Sequence, residues 1–111
     1  MTFEELKTFL TSRMSISHIY QPAILLVLLE NGGDATVAMI AKRCAELRPG
    51  SVESYAQRLL KYPKEALTKH GVITATSNRN DFKLALDIAS LPEMARQELI
   101  DACTGRLAKV K

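Results

Sequence analysis

Apolar positions follow helical spacing through the first two thirds of the chain and then switch to strand alternation. Thr2 and Glu5 have the spacing of a capping box, and Phe3, Leu6, Phe9 and Leu10 continue it as a short helix ending near Arg13. Residues 14–19 show no clear period and read as a loop. Pro22 suits a helix start, and the run Ile24 to Leu29 is apolar all round, which predicts a core helix that Gly32-Gly33 ends. Asp34-Ala35 reads as a short extended link. Thr36 can cap the next helix, with Val37, Ile40, Ala41, Cys44 and Leu47 as its apolar stripe and Pro49-Gly50 as its stop. Ser51 can cap another, with Val52, Tyr55, Ala56 and Leu59 inward and Glu53, Gln57, Arg58 and Lys61 outward. Pro63 breaks that helix and can open one more to about His70, closed by Gly71 in a left-handed position.

Beyond Gly71 the period is two. Val72 to Thr76 is rich in β-branched residues, and Phe82, Leu84 and Leu86 alternate with Lys83 and Ala85 around the polar turn 77–81. The pair predicts a β-hairpin without the Asn-Gly signature of the tightest turns. Ser90 and Glu93 have capping-box spacing and predict a long last helix through Met94, Leu99, Ala102, Cys103 and Leu107, with Gly105 an internal weakness. In this order the elements predict an α+β, mainly α fold: a winged helix-turn-helix with an extra N-terminal helix and a long C-terminal helix. Its parts are 1–13, a core over 20–86 and 90–109, within one domain spanning 1–111. The rival is a helical bundle with an incidental hairpin.

Composition narrows the class. With 111 residues, 47% hydrophobic and 24% charged, the chain has the make-up of a folded globule. Aromatic content of 5% with no Trp argues against a stacking platform for single strands or sugars. Two isolated cysteines exclude a disulfide framework and a CxxC-type zinc site, and the two histidines add no metal spacing. No apolar run is long enough to span a bilayer, and Glu4-Glu5 stands where a signal peptide needs cations, so the chain reads as cytoplasmic. Cys44 and Cys103 fall on apolar stripes, and phosphate-loop, HExxH and GxSxG signatures are all missing; we expect no enzyme, no metal and no cofactor.

The net charge of +3 is modest but uneven. Residues 42–83 hold nine basic and four acidic side chains, whereas the remainder holds six basic and eight acidic. A basic middle is the footprint of a polyanion-binding face, and a solvated charged surface is the alternative. Duplex DNA is the partner such a face fits. The candidate contacts are Gln57, Arg58, Lys61, Lys64, Thr68, Lys69, His70, Asn78, Arg79, Asn80 and Lys83. Gln57 and Arg58 can each make two hydrogen bonds to one purine edge, the lysines suit phosphates, and the 78–80 tip can enter a minor groove or track a backbone. Helices 51–61 and 63–70 both qualify as reader; we favour the second because the hairpin follows it directly. For His70 a capping or packing role competes with a contact.

Several segments also carry a family likeness. They are Ser15-Ile16-Ser17-His18-Ile19-Tyr20-Gln21-Pro22, Gly32-Gly33, Asp34-Ala35-Thr36-Val37 with Ile40-Ala41-Lys42, Glu53-Ser54-Tyr55-Ala56-Gln57-Arg58, and Leu67-Thr68-Lys69-His70-Gly71-Val72-Ile73. Together they resemble the N-terminal winged-helix domains that prokaryotes attach to HNH-type restriction endonucleases and to some helicase-like proteins. The resemblance runs from Phe3 to Leu107. It departs at Leu59, Leu60, Tyr62 and Glu65, where the relatives carry smaller and more basic residues. It implies a DNA-reading module, in some cases for modified cytosines, that serves a separate nuclease domain or subunit. A stand-alone transcription regulator and a protein-interaction module are the alternatives. The last helix can form a homodimer seam through Leu99, Ala102, Cys103 and Leu107, or fold back on the first helix.

Overall fold

The computed structural model describes residues 1–110 and has an α+β architecture, mainly helical, around one hydrophobic core. Helix α1 (Phe3–Thr8) starts at the expected capping box: Thr2 Oγ1 accepts from Glu5 N at 3.2 Å and Thr2 N donates to Glu5 Oε1 at 2.9 Å. A π-helical turn, Phe9–Arg13, extends it. Helix α2 (Tyr20–Glu30) is the centre of the molecule, with every residue from Gln21 to Leu29 buried. It ends on Gly32 and Gly33, whose φ angles of 75° and 100° turn the chain at little steric cost.

The Asp34–Thr36 segment is a strand, β1, rather than a mere link. Thr36 caps α3 (Val37–Leu47) and Ser51 caps α4 (Val52–Leu59), as expected. Their core stripes are shorter than the spacing predicts. Leu47 is 40% and Val52 44% exposed, because both lie at helix ends that overshoot the core. Tyr55 and Leu59 are the buried residues of α4, and the Tyr55 hydroxyl donates to the Arg48 carbonyl at 3.0 Å. Helix α5 (Tyr62–Lys69) holds Pro63 in its first turn, and His70 and Gly71 (φ 74°) close it.

Strands β2 (Ile73–Thr74) and β3 (Asp81–Leu84) form the predicted hairpin, with shorter strands than the alternation suggested. β3 is central in an antiparallel sheet of order β1-β3-β2, pairing Asp34 and Thr74 with Lys83, Ala35 with Phe82 and Ile73 with Leu84. Phe82 and Leu84 enter the core while Lys83 faces solvent.

A 3₁₀ turn, Ile88–Ser90, precedes α6 (Glu93–Leu107). The expected Ser90–Glu93 capping box is absent. Pro92 keeps Leu91 extended (ψ 148°), so the helix begins only after it, and the Ser90 hydroxyl turns back to the Asp87 carbonyl. Helix α6 folds back against α2 and the π-helical turn. Cys103 Sγ lies 3.1 Å from the Pro22 carbonyl, and Arg106 donates to the carbonyls of Thr11 (3.0 Å) and Met14 (2.5 Å). Leu99 and Cys103 are therefore consumed by the chain's own core, which removes them from a dimer seam. Met94, in the first turn of α6, is 85% exposed. No helix among the described residues is long and apolar enough to cross a membrane.

Candidate nucleic-acid interface

Three segments of the basic middle converge: the end of α4, the outer side of α5 and the hairpin loop, residues 75–80. Between them lies an open cleft of about 600 Å³, whose walls carry Lys61, Lys64, Glu65, Thr68, Lys69 and Thr76. Lys61 is exposed at the break between α4 and α5, and Lys69 is exposed on the last turn of α5. Neither is in an ion pair among the described residues, where the pairs are Lys7–Glu98 and Arg43–Glu30.

Lys64 has a different task from the one expected of it. Its ammonium donates to the carbonyls of Arg79 and Asp81 (3.1 Å to the latter) and sits 4.7 Å from the Phe82 ring centroid. Burial holds its pKa below the usual lysine range, against the opposing attraction of Asp81. Lys64 is therefore a clamp between α5 and the loop rather than an open phosphate contact. The loop has further internal ties. Thr76 Oγ1 donates to the Asn78 carbonyl at 2.6 Å, and Asn78 Oδ1 accepts from Asn80 N at 2.9 Å. These ties hold the exposed Asn78, Arg79 and Asn80 as a shaped tip beside α5.

Gln57 and Arg58 lie exposed on the adjoining turn of α4. Arg58 Nη1 donates to the Tyr20 hydroxyl at 3.3 Å, a contact that raises the arginine pKa further and leaves the guanidinium charged under all ordinary conditions. Thr68 is on the cleft wall, but its hydroxyl is turned to the Lys64 carbonyl of its own helix at 2.8 Å. Two candidates fall outside the cluster. His70 caps α5 and its ring packs on Phe9 with centroids 5.5 Å apart, which favours the packing role. Lys83 projects from the solvent face of β3 between Asp34 and Thr74, whereas Lys64 reaches the Phe82 side, and neighbouring strand residues point to opposite faces.

The thiols of Cys44 and Cys103 are buried, which pushes their pKa values up to about 11 and about 12. Neither is a thiolate near neutral pH, so neither offers an activated nucleophile. Sequence reasoning did not nominate Tyr62, whose ring is 73% exposed at the start of α5, or Gln21, the one buried polar side chain among the described residues. The sequence signal for Tyr62 was its place directly before Pro63, on the first turn of the favoured helix; Gln21 carried none.

Comparison of the chain with protein-family models, with curated proteins and with solved structures finds no match.

Proposed function

We propose that this chain is a winged helix-turn-helix module that binds duplex DNA, with α5 entering the major groove and the 75–80 loop lying on the neighbouring backbone. The element order α2-β1-α3-α4-α5-β2-β3, with β3 between β1 and β2, supports the winged reading. The observation that carries the functional reading is the convergence of cations that form no ion pair among the described residues and outnumber the one carboxylate, Glu65, on the cleft wall. Lys61 and Lys69 line one cleft, the clamped loop brings Arg79 to its edge, and Arg58 stands on the adjoining turn. Spaced cations along such a cleft neutralise phosphates and release counterions. Gln57 on the adjoining turn is equipped to read a base edge, while Arg58, equally able to do so, is counted here with the phosphate contacts. By the resemblance drawn from the sequence, the module positions a nuclease domain or subunit, and duplexes bearing modified cytosines belong among its test ligands.

A titration of fluorescent duplex by the full chain tests this. Four phosphate contacts predict a loss of affinity of roughly 150-fold between 50 and 200 mM salt. Replacing Arg58, Lys61 and Lys69 together by Ala leaves one contact and a loss of only about fourfold over the same range, with much weaker binding at low salt. Absence of duplex binding at 50 mM salt, or an unchanged salt response in the triple variant, would refute the proposal.

A further inference from the structure

A second cavity, of about 300 Å³, lies between the 14–19 loop, the first turn of α2 and the first turn of α5. Its walls are Ser15, Ser17, His18, Tyr20, Gln21 and Tyr62, next to Pro63. Although only 5% of the chain is aromatic, two of its three tyrosines and one of its two histidines gather here. The His18 and Tyr20 rings lie 5.5 Å apart and 32° from parallel, and form one aromatic surface. Tyr62 supplies another and has no ring partner of its own among the described residues.

Gln21 gives this cavity chemical direction. The side chain is 8% exposed, and its Oε1 accepts from Ser15 N at 3.2 Å, which fixes which end of the amide faces which way. The amide nitrogen has no hydrogen-bond partner among the described residues. Gln21 is part of the cavity wall, and its amide nitrogen is not among the atoms sealed from solvent. Such a donor is free to bond a ligand or solvent acceptor that enters the cavity. The Ser15 and Ser17 hydroxyls, 2.9 Å apart, add one more proton and further lone pairs. Arg58 reaches the rim through its bond to the Tyr20 hydroxyl.

Flat π-surfaces, an amide in the wall, paired hydroxyls and a cation at the mouth make up the chemistry that recognises a heterocyclic base with its phosphate outside. We propose that this cavity accepts a single unstacked nucleobase of the bound DNA, stacked on Tyr62 and hydrogen-bonded by Gln21. The inference rests on the DNA-binding reading, because it draws the base from a duplex held at the neighbouring cleft.

The test compares a fully paired duplex with one of the same sequence carrying a single unpaired base, using the full chain. The expected result is tighter binding of the unpaired-base duplex by on the order of tenfold, the worth of one stacked base. Tyr62→Ala, at an exposed ring, should erase that preference while binding of the paired duplex stays within about twofold. Gln21→Met, checked for an unchanged fold by thermal unfolding, should erase most of it as well. Equal affinity for the two duplexes in the unaltered chain, or a preference that survives Tyr62→Ala, overturns the assignment and leaves the DNA interface intact. Loss of the preference on adding free deoxynucleoside monophosphate at duplex concentration assigns the cavity to a free nucleotide and overturns the duplex source. No binding of either duplex overturns both readings together.

Discussion

Lys64 separates two ways of using a cation, so Lys64→Met is an informative change. The substitution keeps an unbranched apolar stem against Phe82 and removes the ammonium that bonds the Arg79 and Asp81 carbonyls. A hydrogen bond from a charged donor is worth about 1.5–3 kcal/mol and a partly exposed cation–π contact about 0.5–1 kcal/mol. The site is only half-buried and both carbonyls regain water, so the net destabilisation should be about 1–2 kcal/mol, at the low end of these values. In a chain of this length that is a fall in Tm of roughly 4–12 °C. Lys61→Met, at an exposed residue without such bonds, should cost no more than about 0.5 kcal/mol. Thermal unfolding by circular dichroism gives both values, and amide exchange should show faster opening across residues 78–82 in the Lys64 variant alone. A Lys64→Met variant that melts like the parent, with unchanged exchange in the loop, would refute the clamp and return Lys64 to the list of open phosphate contacts.

The buried thiols predict alkaline lability. Folding raises the pKa of Cys44 and Cys103 from an ordinary value of 9.0 to about 11 and about 12, so their contribution is fully present below pH 9 and is lost as pH rises from there. Each thiol can add at most about 1.4 kcal/mol per pH unit to that loss. Urea unfolding between pH 8 and 10.5 should therefore fall less steeply in the Cys44→Ala, Cys103→Ala double variant than in the parent, and parallel curves would contradict the assignment. Two glycines should respond in opposite directions. Gly71→Ala has room for a Cβ but forces a left-handed backbone on it (φ +74°), which should cost about 1–2 kcal/mol. Gly105→Ala, in an exposed helix interior with nothing within 4 Å, should gain about 0.5–1 kcal/mol, and Tm shifts of equal sign would rule this out.

Elements governed by short-range chemistry were legible in the residues. Thr2, Thr36 and Ser51 are caps in the structure because a hydroxyl meets an amide three residues on, whatever surrounds it. Ser90 has the same spacing and fails because the Leu91-Pro92 step competes locally. The third strand was hidden since Asp34–Thr36 is too short to show a period and finds its partner nearly fifty residues later. Leu47 and Val52 continue an apolar stripe past the point where the core ends, which only packing reveals. The candidate interface was visible as a density of cations along the chain. What it could not distinguish is Lys61, open to solvent, from Lys64, drawn into the loop, since that depends on where the hairpin lies. Lys83 and His70 drop out for the same tertiary reason. The Gln21 cavity needs the 14–19 loop and α5 brought together, and no local pattern announces it.

The most direct measurement is a map of backbone amide chemical shifts while duplex DNA is added to the labelled full chain. The largest changes should fall on Arg58, Lys61, Lys69 and residues 78–80, with α6 and the Lys83 face of the sheet nearly silent. Shifts concentrated on α6 or around Lys83, or no shifts at low salt, would contradict the placement of a DNA-binding edge at α5 and its clamped loop.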